Sequence, residues 1–215
     1  MRKETGESRV EGRWSALFAV VTLGGLYLAL PASLVVGPRW LYPAVVAGLL
    51  IPTVVFHRIG RHEADRTLGF LLSGVLTLAL VLSLILLITA LPSHKEDPLA
   101  LLQSAGALWT TNVLVFALWY WRLDAGGPHQ RESRHRHTHG AFFFPQMMQG
   151  APSAESGPWS PGFIDYLFIA FNTSTAFSPT DTPVLTRWAK VLSMLQATIS
   201  LAVVAILGAR AVGML

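Results

Sequence analysis

Five long apolar runs, separated by short charged or turn-forming segments, set the plan of this chain. Residues 14–36 are uncharged and apolar. A second, shorter run covers 40–56, and 67–91 is dominated by Leu, Val and Ile. A fourth occupies 99–121, and a fifth covers 188–213, broken only by Lys190 and Arg210. A helix needs about 20 apolar residues to cross a bilayer, so each run predicts a spanning helix. Pro31 is expected to kink the first, and Gly37-Pro38-Arg39 reads as a tight turn. Residues 57–66 read as a charged loop and 92–98 as a polar turn.

One further run is too short. Residues 166–180 carry fifteen uncharged positions, and the second half is dense in hydroxyls. A half-length helix, a polar loop holding Pro179 and Pro183, and then a full-length helix make the pattern of a re-entrant element. The predicted fold is therefore an all-α integral membrane protein. It has about five transmembrane helices plus a re-entrant half-helix and polar loop before the last helix. Three regions follow: 1–122 with the tail and four helices, 123–162 as a basic, His-rich loop, and 163–215 with the re-entrant segment and final helix. Within 123–162, a flexible basic stretch is expected to precede a short apolar piece, Phe142-Phe143-Phe144, lying on the membrane surface.

Composition strengthens this picture. The chain is 52% hydrophobic and 13% charged, with mean hydropathy +0.49, whereas soluble domains carry about 25% charged residues. The net charge of +4 does not point to nucleic acid, because the basic residues flank the apolar runs. Eleven Lys and Arg fall in the tail, the 57–66 loop and the segment after the fourth run, against Arg39 and Lys95 in the other two turns. That bias places the N-terminus and the long loop in the cytoplasm and the chain in the inner (plasma) membrane. The first run exceeds the 7–15-residue core of a cleaved signal and is expected to be retained. With no cysteine, disulfides and thiolate chemistry are excluded.

The hydroxyl-rich loop is the leading candidate for chemistry. A dehydrated cation needs replacement oxygens from carbonyls or polar side chains. Asn172, Thr173, Ser174, Thr175, Ser178, Thr180 and Asp181 supply them, with Ala176 and Phe177 interleaved. This stretch resembles the pore loop of tetrameric cation channels. Thr173-Ser174-Thr175 stands at the filter threonines, Phe177 near the filter aromatic, Asp181 at the mouth acid and Trp188-Ala189-Lys190 at the start of the inner helix. The resemblance implies a path for monovalent cations and a homotetramer. No glycine occurs between Phe163 and Ile206. A carbonyl ladder that depends on φ > 0 is therefore not expected, and potassium selectivity is not implied. The pattern Asp165-Tyr-Leu-Phe, Phe171-Asn-Thr-Ser-Thr, Ser178-Pro-Thr-Asp and Arg187-Trp-Ala-Lys also resembles bacterial multi-span families defined only as domains of unknown function.

The other polar residues have plainer readings. His135, His137 and His139, with His129 nearby, alternate with arginines that oppose a bound cation, so a solvated tract beside anionic lipid is expected there rather than a metal site. Asn112 beside Thr110 and Thr111, and Gln196 with Thr198 and Ser200, read as interhelical hydrogen-bond pairs. Arg210 is expected to reach an interface, and Asp165 to cap the short helix. Enzyme and cofactor-binding motifs are absent. The leading expectation is a channel-like protein. The alternative is a non-conducting scaffold or accessory subunit that binds a partner or anionic lipid through its basic loop.

Overall fold

The computed structural model describes residues 13–90, 98–132, 140–148, 159–178 and 181–213, the side chains at 98, 132 and 210–213 excepted. His135, His137, His139, Thr180 and the Arg210 side chain lie outside that set. Seven α-helices are found among the described residues: α1 Trp14–Ala29, α2 Leu41–Ile59, α3 His62–Ala90, α4 Pro98–Leu123, α5 Pro128–Glu132, α6 Phe163–Thr175 and α7 Arg187–Gly213. Of these, α2, α3, α4 and α7 are long and apolar enough to cross a membrane. Large apolar side chains such as Phe18, Ile51, Leu71, Leu78, Met194 and Leu201 point outward, as they must where lipid is the solvent. The chain is a membrane-embedded helical protein.

Three boundaries differ from expectation, each for a local reason. α1 stops at Ala29 instead of continuing through a kink to residue 36. Pro31 forces Leu30 into extended backbone, with ψ 145°, and supplies no N–H to continue the ladder. The sixteen residues of α1 are about 24 Å long. Most of the stretch expected as a charged loop is helical, and only Gly60 and Arg61 turn the chain. Gly60 takes φ +77°, and Arg61 N–H bonds the Phe56 carbonyl at 2.9 Å. Glu63 and Asp65 then sit in the first turn of α3, where the helix dipole favours acids.

The third difference is larger. Phe142 and Phe144 do not lie on a membrane surface but are buried. Phe142 forms a β-bridge with Val184 and packs edge-on against Tyr120, Tyr166 and Trp188. Residues 140–148 and the C-terminal region therefore close one end of the bundle together.

α4 is the central helix, packed against α1, α3, α6 and α7. Small buried residues, Ser104, Ala105 and Ala117, let neighbours approach its backbone. Its last turn leads into the Gly126-Gly127 turn. Gly127 has φ +97°, and a Cβ there would come 2.9 Å from the Arg122 carbonyl.

Candidate functional site

The chain around α6 is anchored at one end of the bundle. Asp124, fully buried, accepts hydrogen bonds from Tyr166 Oη at 2.7 Å and from the Ala141 N–H. Arg131 donates to the carbonyls of Trp121 at 2.7 Å and Asp124 at 2.9 Å, with its guanidinium over the Tyr166 ring. These contacts tie the end of α4 to the first turn of α6. Gly162 N–H donates to Asp165 Oδ2 at 2.7 Å, capping that turn. Burial pushes the Asp165 carboxyl up from its usual range, and this hydrogen bond opposes the shift.

α7 starts at the same end, where Trp188 meets Phe142. Farther along, both helices reach the middle of α4 together. Gln196 Nε2 donates to the Ala170 carbonyl at 2.6 Å and lies 2.8 Å from Ser174 Oγ. Its Oε1 accepts from Tyr120 Oη at 2.6 Å, and its carbonyl accepts from Asn112 Nδ2 at 3.1 Å. Ser200 Oγ donates to the Ser174 carbonyl at 2.6 Å and accepts from Trp109 Nε1 at 3.0 Å. α6 and α7 thus run parallel from one end. At the helical rise, Ser200 lies roughly 20 Å along α7 from Arg187. The segment between the two helices returns to the starting end, where Phe143 N–H bonds the Pro183 carbonyl and Leu185 N–H the Ala141 carbonyl.

The sequence-predicted site residues separate into two sets. Thr173 and Ser174 are buried inside this three-helix junction, and Thr173 Oγ1 bonds the Ile169 carbonyl at 2.8 Å. Asn172 is half-buried, while Thr175, Ala176, Phe177, Ser178 and Asp181 are exposed. Thr175 Oγ1 bonds back to the Phe171 carbonyl at 3.0 Å. Helical backbone ends at Thr175, and Phe177 adopts φ +54°.

Of the other polar residues in the apolar runs, Asn112, Gln196 and Ser200 do join helices. Among the described residues, Thr110, Thr111 and Thr198 bond only carbonyls of their own helices. Tyr120, Trp109 and Ser193 belong to the junction but were not singled out from the sequence. The available signal was spacing: Trp109, Asn112, Phe116 and Tyr120 share one face of α4. Asn112 Oδ1 is buried with no hydrogen-bond partner among the described residues. No family model matches the chain, and no curated protein or solved structure matches it either.

Proposed function

We propose that this is a five-span membrane protein in which α6 and the segment after it form a re-entrant element. That element lines a path for a cation or small solute between copies of the chain. The observation that carries this reading is the position of the α6 tip. Thr175, Ala176, Phe177 and Ser178 are exposed, and the backbone leaves the helix after Thr175. Counting along α7, the tip lies roughly 20 Å from the bundle end, which in a bilayer is hydrocarbon depth. Irregular backbone is tolerated there only against protein or water. A ring of copies around these residues provides both, and a tetramer is what the pore-loop resemblance implies. The basic end, cytoplasmic by its Arg and Lys bias, would then hold the path's mouth, with exposed Asp181 attracting cations.

A second reading has its own support. The Thr173 and Ser174 side chains are engaged within one chain, as they would be in a non-conducting scaffold. Liposome flux separates the two. Wild-type protein should pass monovalent cations as a symmetric oligomer. Asp181→Asn should keep the oligomer and lose flux, most at low salt, where screening is weak. Wild-type liposomes that pass no cation or small solute would leave the scaffold.

A further inference from the structure

We propose that the basic end of the bundle binds an anionic phospholipid, its phosphate on Arg122 and Arg58 and an acyl chain in the cavity between α1 and α2. This cavity, of about 340 Å³, is lined by the first turns of α1, the last turns of α2, Asp65 of α3 and the end of α4. Its volume falls in the ~300–1,000 Å³ range of small-ligand sites. Leu17, Val20, Leu50 and Val54 line its apolar part, whereas Arg58 and Arg122 line the end that carries the charge. A site apolar on one side and cationic on the other fits an anionic amphiphile better than a wholly polar solute.

Among the described residues the charges do not balance within the cavity. Asp65 is the only carboxylate of that set lining it, and it is already engaged by Arg13 Nη1 at 2.9 Å and approached by His57 Nδ1 at 3.5 Å. Arg58 is exposed. Arg122 makes no hydrogen bond or ion pair among the described residues, and its Nε is buried without an acceptor. Its guanidinium is held over the Trp121 ring at 5.5 Å and against Gly69, where a Cβ would come within 1.7 Å of Nη1. A guanidinium nitrogen buried without an acceptor is unfavourable, and phosphate oxygens match the planar fork of the group. A second cavity, of about 70 Å³, reaches Arg122 from the side of Arg66, with Glu63 and Asp65 also in its lining.

The source of the phosphate is argued from the surroundings. Trp14 and Phe18 on α1 and Ile51 and Val55 on α2 are exposed beside the cavity, so its apolar wall continues onto the surface that faces acyl chains. A lipid can enter sideways with its chain in place.

The test uses the full chain extracted from vesicles of equal phosphatidylglycerol and phosphatidylcholine, with retained lipid counted by native mass spectrometry. Wild type should retain phosphatidylglycerol in preference. Arg122→Gln should reduce its retention about tenfold, as expected for loss of a charge-assisted contact, with phosphatidylcholine unchanged. Gly69→Ala, which displaces the guanidinium, and Val54→Trp, which fills the apolar part, should do the same. Arg39→Gln, in the turn at the opposite end, should not. Thermal melts of each variant identify any that fail to fold, and the remaining ones decide. Equal retention of the two lipids by wild type would overturn the proposal. So would an unchanged preference in the folded variants, or displacement of phosphatidylglycerol by millimolar inorganic phosphate, which assigns the site to a soluble anion.

Discussion

The two halves of the bundle are held by different chemistry. α1, α2 and α3 bury Leu23, Val46, Leu72, Leu76 and Leu80. Their hydroxyls mostly turn inward on their own helices, as with Thr53 to the Leu49 carbonyl and Ser73 to the Gly69 carbonyl. Between α4, α6 and α7, by contrast, amides and hydroxyls cross from one helix to another through Asn112, Ser174, Gln196 and Ser200. Lipid tails are as apolar as leucine, so burying leucine between helices in a bilayer brings little hydrophobic gain. Full-length helices need little more, because the membrane itself fixes their depth. A thirteen-residue helix is not fixed that way. The polar junction sets its depth and register.

The comparison breaks most visibly at the closed end. Phe142→Ala removes the ring that joins Tyr120, Tyr166 and Trp188. Thermal unfolding in detergent should show a loss of about 3–5 kcal/mol, the range for deleting a buried aromatic. A loss below about 1 kcal/mol, the size of an ordinary substitution, would mean that Phe142 only covers the bundle.

Gln196→Leu keeps the helix and the volume but deletes the hydrogen bonds to the Ala170 carbonyl and the Ser174 hydroxyl, and leaves the Tyr120 hydroxyl its longer contact to Ser193 Oγ at 3.3 Å. Each lost bond contributes about 1 kcal/mol, partly recovered by new partners in the membrane. A net loss of roughly 2–3 kcal/mol is expected, with protease sensitivity appearing first between α6 and α7. If α3 is cleaved first instead, the junction is not what seats α6.

A finer contrast comes from two serines. Ser200→Ala deletes two bonds between helices, to the Ser174 carbonyl and from Trp109 Nε1, and should cost about 1–2 kcal/mol. Ser73→Ala deletes a bond within one helix and should cost no more than a few tenths, since helical back-bonding adds little. Equal losses in the same melts would erase the distinction between the halves.

Much of this was legible in the chain itself. The run at 67–91 is so uniformly apolar that only a spanning helix accounts for it, and Asn112 and Gln196 stand out because amides are costly in such surroundings. The end of α1 was half legible. Pro31 marked the place, but whether a proline kinks or ends a helix depends on the partners available beyond it. Phe142 was misleading because an apolar triplet between loop signals looks the same whether it meets lipid or a protein core. Its partner Val184 is remote in sequence, and nothing local announces the pairing. Thr173 and Thr175 are chemically equivalent in the sequence, yet helical geometry turns one into the junction and the other outward.

The central claim is that the outward-facing tip of α6 meets water at the middle of the bundle. The chain has no cysteine, so single cysteines report without background. Thr175→Cys in reconstituted protein should react with a charged, water-soluble methanethiosulfonate reagent, while Phe168→Cys, exposed on the same helix, should stay unreactive in lipid. Equal protection of both positions would contradict the account.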